Sequence, residues 1–109
     1  MLESAEQALA REIDEELGVG SQVGRLLWVV ENFFELEQRR YHEVGLYFLI
    51  DLPASTYRTS EFPALDVHVE LVMLWIPLAE LSAFDVRPAF LRRALLRPPA
   101  QTQHVLSYD

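Results

Sequence analysis

The stretch ALAREIDEELGVG, residues 8–20, places several carboxylates side by side near the start of the chain. Glu12 and Glu16 are four residues apart, and Glu15 is three residues from Glu12. On a helix these positions share one face, where like charges repel by roughly a few tenths of a kcal/mol. Hard divalent cations such as Mg²⁺ bind oxygen ligands, and a bound cation would remove that repulsion. The spacing is compatible with a metal site, but an acidic helix face taken alone is more often simply solvated.

The helix that would carry these carboxylates is predicted to run from Ala5 to Leu17. Ser4 is suited to the N-cap position, and Gln7 follows at the spacing of a capping box. Gly18 stands where a helix C-cap glycine belongs. Apolar residues recur at intervals of three and four positions: Ala5, Ala8, Leu9, Ile13 and Leu17. If that stripe is buried, the three glutamates lie at the rim of the core.

The segments that follow predict strands. Val23–Phe34 and Tyr41–Leu52 are rich in β-branched and aromatic residues, and the charged segment ELEQRR separates them, so we expect an antiparallel hairpin. Residues 53–66 contain proline, serine and threonine and predict a loop. Val67–Ile76 alternates and predicts a third strand, which Pro77 ends. The order of helix and strands indicates an α/β fold.

The last third of the chain is less regular. PLAEL, residues 77–81, predicts a short helical turn, and Pro88 is well placed to begin a helix that reaches about Leu96. The arginine-rich stretch RPAFLRRALLR is better explained as a solvated helix face than as a phosphate site. The residues after Pro98 remain unassigned. The apolar runs LLWVV and LYFLI predict interior strands, and for these the sheet is short of pairing partners.

Composition sets the class of protein. The chain has 109 residues, of which half are hydrophobic, and a formal charge of −8, so we expect one domain over residues 1–109 with a real core. The negative charge argues against general nucleic-acid binding. The absence of cysteine excludes disulfides and thiolate metal sites and fits a cytoplasmic location. No apolar run is long enough to span a membrane.

The sequence REIDEELGV, residues 11–19, resembles the core of the Nudix box, Arg-Glu-apolar-x-Glu-Glu-x-Gly-apolar, at every specified position. Glu3, eight residues before Arg11, also fits the box. The segments ENFFELEQRRYHEVGLYFLIDLP and VELVMLWIPLAEL are similar to strands that follow the box in small Nudix hydrolases, so the resemblance covers about residues 1–97. It implies a Nudix-type α/β/α sandwich with a mixed sheet. That sandwich is expected to be incomplete, because the strands and the box glycine that the family places before Glu3 would precede Met1.

The resemblance also implies an activity, the metal-dependent hydrolysis of a pyrophosphate bond in a nucleoside diphosphate linked to another moiety. Glu12, Glu15 and Glu16 would form the metal set for Mg²⁺ or Mn²⁺. Arg11 would orient the glutamates through ion pairs, or would pair simply as a surface residue with a neighbouring acid of the helix, and Glu3 would assist from the preceding loop. The general base would be one of these glutamates or a later one, and the sequence leaves that choice open.

Residues outside the box give weaker indications. His42 and Glu43 are expected to contribute to substrate binding, although strand alternation alone would turn one of them away from the site. Glu70 is a further candidate of the same kind. The alternatives to an enzyme are an inactive Nudix fragment or binding module, and a purely structural oligomer. Unpaired strand edges favour association, so we expect a homodimer or an edge-paired oligomer.

Overall fold

The computed structural model describes residues 2–57, 61–63 and 72–109. The chain divides into two compact units, Met1–Gly24 with Leu49–Ile76, and Arg25–Phe48 with Pro77–Asp109. Both helices and strands are present, which confirms the α/β class. The prediction for Glu70 lies outside the described residues, and the single domain stays a prediction. No helix in the described part of the chain is both long and apolar enough to cross a membrane.

The first helix, α1 (Ala5–Leu17), has the predicted bounds at both ends. The Ser4 hydroxyl accepts a hydrogen bond from the Gln7 backbone N–H at 3.1 Å, and the Gln7 side-chain oxygen accepts one from the Ser4 N–H at 2.9 Å. Gly18 ends the helix with φ 68°, a left-handed conformation in which glycine has no side chain to clash. Its N–H donates to the carbonyl of Asp14 at 2.9 Å.

The predicted hairpin is confirmed, with a tighter turn than the sequence indicates. β1 (Gln22–Leu36) and β2 (Arg39–Asp51) are neighbours in one sheet. Only Glu37 and Gln38 separate them, with φ 50° and 65°. Positive φ at both central residues matches the right-handed twist of the strands, which is why two-residue hairpins favour it. The prediction that all of residues 35–40 form the turn is therefore wrong, and the two strands extend into it.

The rest of the first unit contains short elements. A 3₁₀ helix spans Ala54–Tyr57. β3 (Glu61–Pro63) and β4 (Val72–Leu74) pair antiparallel, with Glu61 opposite Leu74. The prediction of a continuous loop over residues 53–66 is thus wrong where β3 forms. The predicted strand over residues 67–76 is confirmed at β4, and residues 67–71 lie outside the described residues.

The second unit has a small apolar core. Its buried members are Leu27, Trp28, Val30 and Leu91. Leu91 begins α2 (Leu91–Ala94). This helix is shorter than the predicted one, which ran from Pro88 to about Leu96, and the residues on either side of α2 form turns. The predicted helical turn after Pro77 is a 3₁₀ helix, Leu78–Ala83. The Trp28 ring meets the rings of Phe90 and Tyr47 edge-on, with centroids 5.6 and 6.5 Å away. Trp28 therefore joins β1, β2 and the segment at α2.

The residues left unassigned by the sequence form β5 (Gln103–Tyr108), which pairs parallel with β1 and gives the strand order β2-β1-β5. The Thr102 hydroxyl donates to the Leu26 carbonyl at 2.6 Å before the strand begins. The Asp109 N–H donates to the Phe33 carbonyl at 3.0 Å after it ends. β5 thus provides a partner for β1 that the sequence analysis lacked. That further strands precede the chain stays a prediction.

Candidate functional site

The carboxylates of the acidic stretch project from α1. Glu12 and Glu15 are exposed, and Glu16 is half-buried. Among the described residues, neither Glu12 nor Glu16 has a hydrogen-bond or ion-pair partner. The two therefore stand one helical turn apart with their oxygen atoms open to a cation.

Arg11 holds two of the predicted carboxylates at once. Its Nε donates to both oxygens of Glu3, at 3.2 and 3.0 Å, and its Nη1 donates to both oxygens of Glu15, at 3.1 and 3.2 Å. These hydrogen bonds, first that to Glu3 and then that to Glu15, raise the pKa of Arg11 above its ordinary value. Glu15 is thus the neighbouring acid of the helix with which Arg11 pairs. A planar guanidinium that donates hydrogen bonds to two carboxylates fixes the orientation of both.

A divalent metal can be tested against this donor set. In the described part of the chain, no three acidic or histidine side chains are gathered closely enough to hold a metal by themselves. Mg²⁺ commonly takes only one or two carboxylates and completes its shell with waters and substrate phosphates. Glu12 and Glu16 are hard oxygen donors with no competing partner, so they fit such a site. Glu15 is hydrogen-bonded to Arg11. That Glu15 is a third metal ligand stays a prediction.

His42 and Glu43 lie in the second unit, and strand alternation turns their side chains to opposite faces of β2. The His42 Nε2 lies 3.0 Å from an oxygen of Glu31, and its ring stacks on Phe33 at 4.4 Å. The other oxygen of Glu31 lies 2.7 Å from the Nε2 of His104 on β5. The structure thus gives His42 a cross-strand carboxylate partner.

The two histidines change the titration of Glu31. Hydrogen bonds from His104, and next from His42, lower the pKa of Glu31 below its usual range because they favour the charged form. The sequence analysis missed this cluster because His104 lies in the unassigned tail. Alternation within QHVLSY was the only available signal for it.

This cluster gives a pH-dependent prediction. The pKa of Glu31 is lower folded than unfolded, so its contribution to stability is present above its ordinary value of 4.5 and is lost as the pH falls through the lowered value. Glu31→Gln should therefore lower the urea midpoint at about pH 7, and the difference from the parent chain should shrink at about pH 3. Glu35→Gln, an exposed acid on the same strand, is the control. An unchanged difference at both pH values contradicts the prediction.

Glu43 lines a cavity of about 690 Å³ in the second unit. Other lining residues include Phe34, Tyr47, Arg87 and Asp109. Burial raises the pKa of Tyr47, and the charges of Glu43 and Asp109 add to the effect, so its hydroxyl keeps its proton. Tyr47 and Gly45, which also lines the cavity, could have been anticipated, because they alternate with Glu43 along one strand and so share its face.

The comparison with known families decides the identity of the fold. The family model of the NUDIX domain matches residues 2–96, which is most of the chain. The chain belongs to the NUDIX family. No match is found among curated proteins. The match places α1 in a Nudix domain, and the mixed three-stranded sheet and helices agree with a Nudix-type α/β fold. The family is one of hydrolases, and Nudix enzymes generally use divalent metals.

Proposed function

We propose that this Nudix domain hydrolyses a pyrophosphate bond in a nucleoside diphosphate linked to another moiety, with Mg²⁺ or Mn²⁺. The observation that carries the proposal is the arrangement on α1, where Glu12 and Glu16 have no partner in the described part of the chain and Glu15 is hydrogen-bonded to Arg11. When bound, the cation neutralises phosphate charge and polarises the bond that breaks. A chain with a formal charge of −8 requires such a cation to accept a diphosphate.

The side chains on and near α1 are proposed to have separate roles in metal binding, positioning and proton transfer. Glu12 and Glu16 would hold the metal through oxygen atoms that have no other partner among the described residues, and Glu15 would be the third carboxylate of the set. Arg11 positions Glu15 and Glu3 by the paired hydrogen bonds described above. One of these glutamates, or a later one in the chain, can take a proton from the attacking water. The water oxygen then bonds to one phosphorus as the bond from that phosphorus to the bridging oxygen breaks, and the other phosphate leaves with the bridging oxygen.

Two residues of the second unit are proposed as substrate contacts. Glu43 borders a cavity large enough for a small organic group, and Phe34 and Tyr47 provide apolar surface there. The His42 ring can donate to a phosphate or sugar oxygen once its hydrogen bond with Glu31 is broken. These roles concern binding alone.

The test is a turnover assay on the whole chain. The chain is incubated with Mg²⁺ or Mn²⁺ and a panel of substrates comprising deoxynucleoside triphosphates, a dinucleoside polyphosphate, a nucleotide sugar and ADP-ribose. Phosphate-containing products are measured by ion-exchange chromatography. We expect metal-dependent product from at least one substrate and none after chelation by EDTA. Product that persists in EDTA would contradict the metal-dependent proposal.

A second candidate function is a Nudix domain that binds metal or nucleotide without turnover. Glu12 and Glu16 would suffice for such binding, because Mg²⁺ commonly takes only one or two carboxylates. Calorimetry with Mn²⁺ separates the two candidates. Metal binding without product from the panel supports the binding module, whereas metal binding with product supports the hydrolase.

The hydrogen bonds that Arg11 makes to Glu3 and Glu15 lead to a further prediction. Arg11→Ala leaves Glu3 and Glu15 without the group that orients them, so kcat/KM should fall about 10- to 100-fold, as is usual for residues that orient metal ligands. Arg11→Lys keeps the positive charge but lacks the planar guanidinium that pairs with two carboxylates. Its activity should lie between those of the parent chain and the Arg11→Ala variant. Arg93→Ala, an exposed arginine of α2, is the matched control. Equal activity of the Arg11→Ala and Arg93→Ala variants would contradict the positioning role.

A further inference from the structure

The outer edge of β5 carries backbone groups that are open to pairing with another strand. β5 lies at one end of the strand order β2-β1-β5, and within the described residues nothing pairs with its outer side. Strand edges of this kind are usually protected by lysine, proline or a bulge. The sequence QHVLSY has no lysine, arginine, proline or glycine. β2, at the other end, begins with Arg39 and Arg40 and ends with Asp51, so it is protected by charge.

The backbone of β5 fixes which groups are available for pairing. The Asp109 N–H points to β1, where it meets the Phe33 carbonyl. Because backbone groups alternate along a strand, the N–H and C=O groups of His104, Leu106 and Tyr108 point away from β1. Their side chains also share one face of the sheet. Leu106 is 52% exposed and Tyr108 is 73% exposed.

We infer that a second copy of this chain pairs antiparallel with β5, about a two-fold axis at Leu106. This register places Leu106 opposite its own counterpart and His104 opposite Tyr108 of the partner subunit. All three outward-facing residues then form hydrogen-bonded pairs, and each pair exchanges two N–H to carbonyl bonds. A register centred on Val105 would leave Tyr108 opposite residue 102, beyond the strand.

The side chains in this register are compatible with one another. No like charges face each other across the two edges, a juxtaposition that destabilises strand pairs. His42, Phe33 and Tyr108 already form a row of stacked rings across the sheet, at 4.4 and 5.1 Å. The outer side of Tyr108 ends that row, and His104 of the partner subunit would be its next ring. Pairing by one surface with itself closes on two copies and produces no filament.

The first test is the mass of the chain in solution by size-exclusion chromatography with light scattering. The parent chain should be a dimer. Leu106→Lys places two ammonium groups face to face at the axis and should give a monomer with an unchanged far-ultraviolet spectrum. Leu46→Lys is the matched control and should remain dimeric, because Leu46 is 47% exposed but lies on β2. A monomeric parent, a larger assembly, or a dimeric Leu106→Lys chain would overturn the inference.

The second test addresses the register and does not depend on the lysine variant. The chain has no cysteine, so a single introduced thiol can be cross-linked only to its counterpart. Leu106→Cys should form a disulfide-linked dimer on mild oxidation, since opposed residues in a hydrogen-bonded pair have Cα atoms about 5.5 Å apart. His104→Cys should not, because the two copies of residue 104 would be about 13 Å apart. A cross-link through residue 104 and none through residue 106 would overturn the register.

Discussion

Glu16→Gln is expected to lower metal-dependent turnover by about 100-fold or more. The substitution keeps the size of the side chain and removes one of the two box glutamates of α1 that have no hydrogen-bond or ion-pair partner among the described residues. A metal at a phosphoryl centre contributes several kcal/mol to transition-state stabilisation, and about 1.4 kcal/mol corresponds to a factor of ten in rate. The measurement is kcat with Mg²⁺ and Mn²⁺ on the substrate that the panel identifies.

The same substitution should change stability in the opposite direction. Without metal, Glu12 and Glu16 repel each other at a spacing of four residues, so Glu16→Gln should raise the free energy of unfolding by about 0.2–0.5 kcal/mol. Asp14→Asn is the matched control because Asp14 is an exposed acid of α1 at an unspecified position of the box. Its turnover should equal that of the parent chain. If the Glu16→Gln chain turns over as fast as the Asp14→Asn chain, the metal site lies elsewhere.

Trp28→Ala should have the largest effect on stability. Trp28 is 2% exposed and its ring contacts rings from β2 and from the segment that precedes α2. Truncating a buried tryptophan typically costs about 3–5 kcal/mol, because the transfer free energy is lost and a cavity remains. That is a large share of the roughly 5–15 kcal/mol that stabilises a typical domain. Urea unfolding followed by circular dichroism measures the change.

Two further variants make the Trp28 result specific. Trp28→Phe keeps an aromatic ring in the core and should cost clearly less than the alanine variant. Leu46→Ala removes an exposed side chain from the same sheet and should change stability by less than about 0.5 kcal/mol. If Trp28→Ala costs no more than Leu46→Ala, the core of the second unit is not built around Trp28.

Local signals predicted α1 well, and the reason is chemical. The Ser4–Gln7 box and the glycine at position 18 satisfy backbone groups within a few residues of themselves, so their meaning is independent of the rest of the chain. The metal role of the box carboxylates was implied by the resemblance to the Nudix box and stays a prediction. The pairing of Arg11 with both Glu3 and Glu15 required the three-dimensional structure, because rotamers decide it.

Non-local pairing accounts for what the sequence analysis missed. β5 is a short strand whose partner, β1, lies far back in the chain, and periodicity within QHVLSY does not identify that partner. The hairpin turn lacked the usual Asn-Gly signal, since Glu37 and Gln38 adopt positive φ without glycine. The clusters at Glu31 and Glu43 depend on these pairings. They could not be predicted before the strands were placed.

The parallel pairing of β1 with β5 has a consequence for biosynthesis. Among the described strands β1 is the first to leave the ribosome, whereas β5 is the last. The hairpin can form early, because its strands are joined by two residues, but β1 must keep one edge open throughout translation of the intervening segment. Closing so long a loop is slow and exposes an apolar strand meanwhile. Until β5 emerges, that edge of β1 is a place where the nascent chain can pair with another strand.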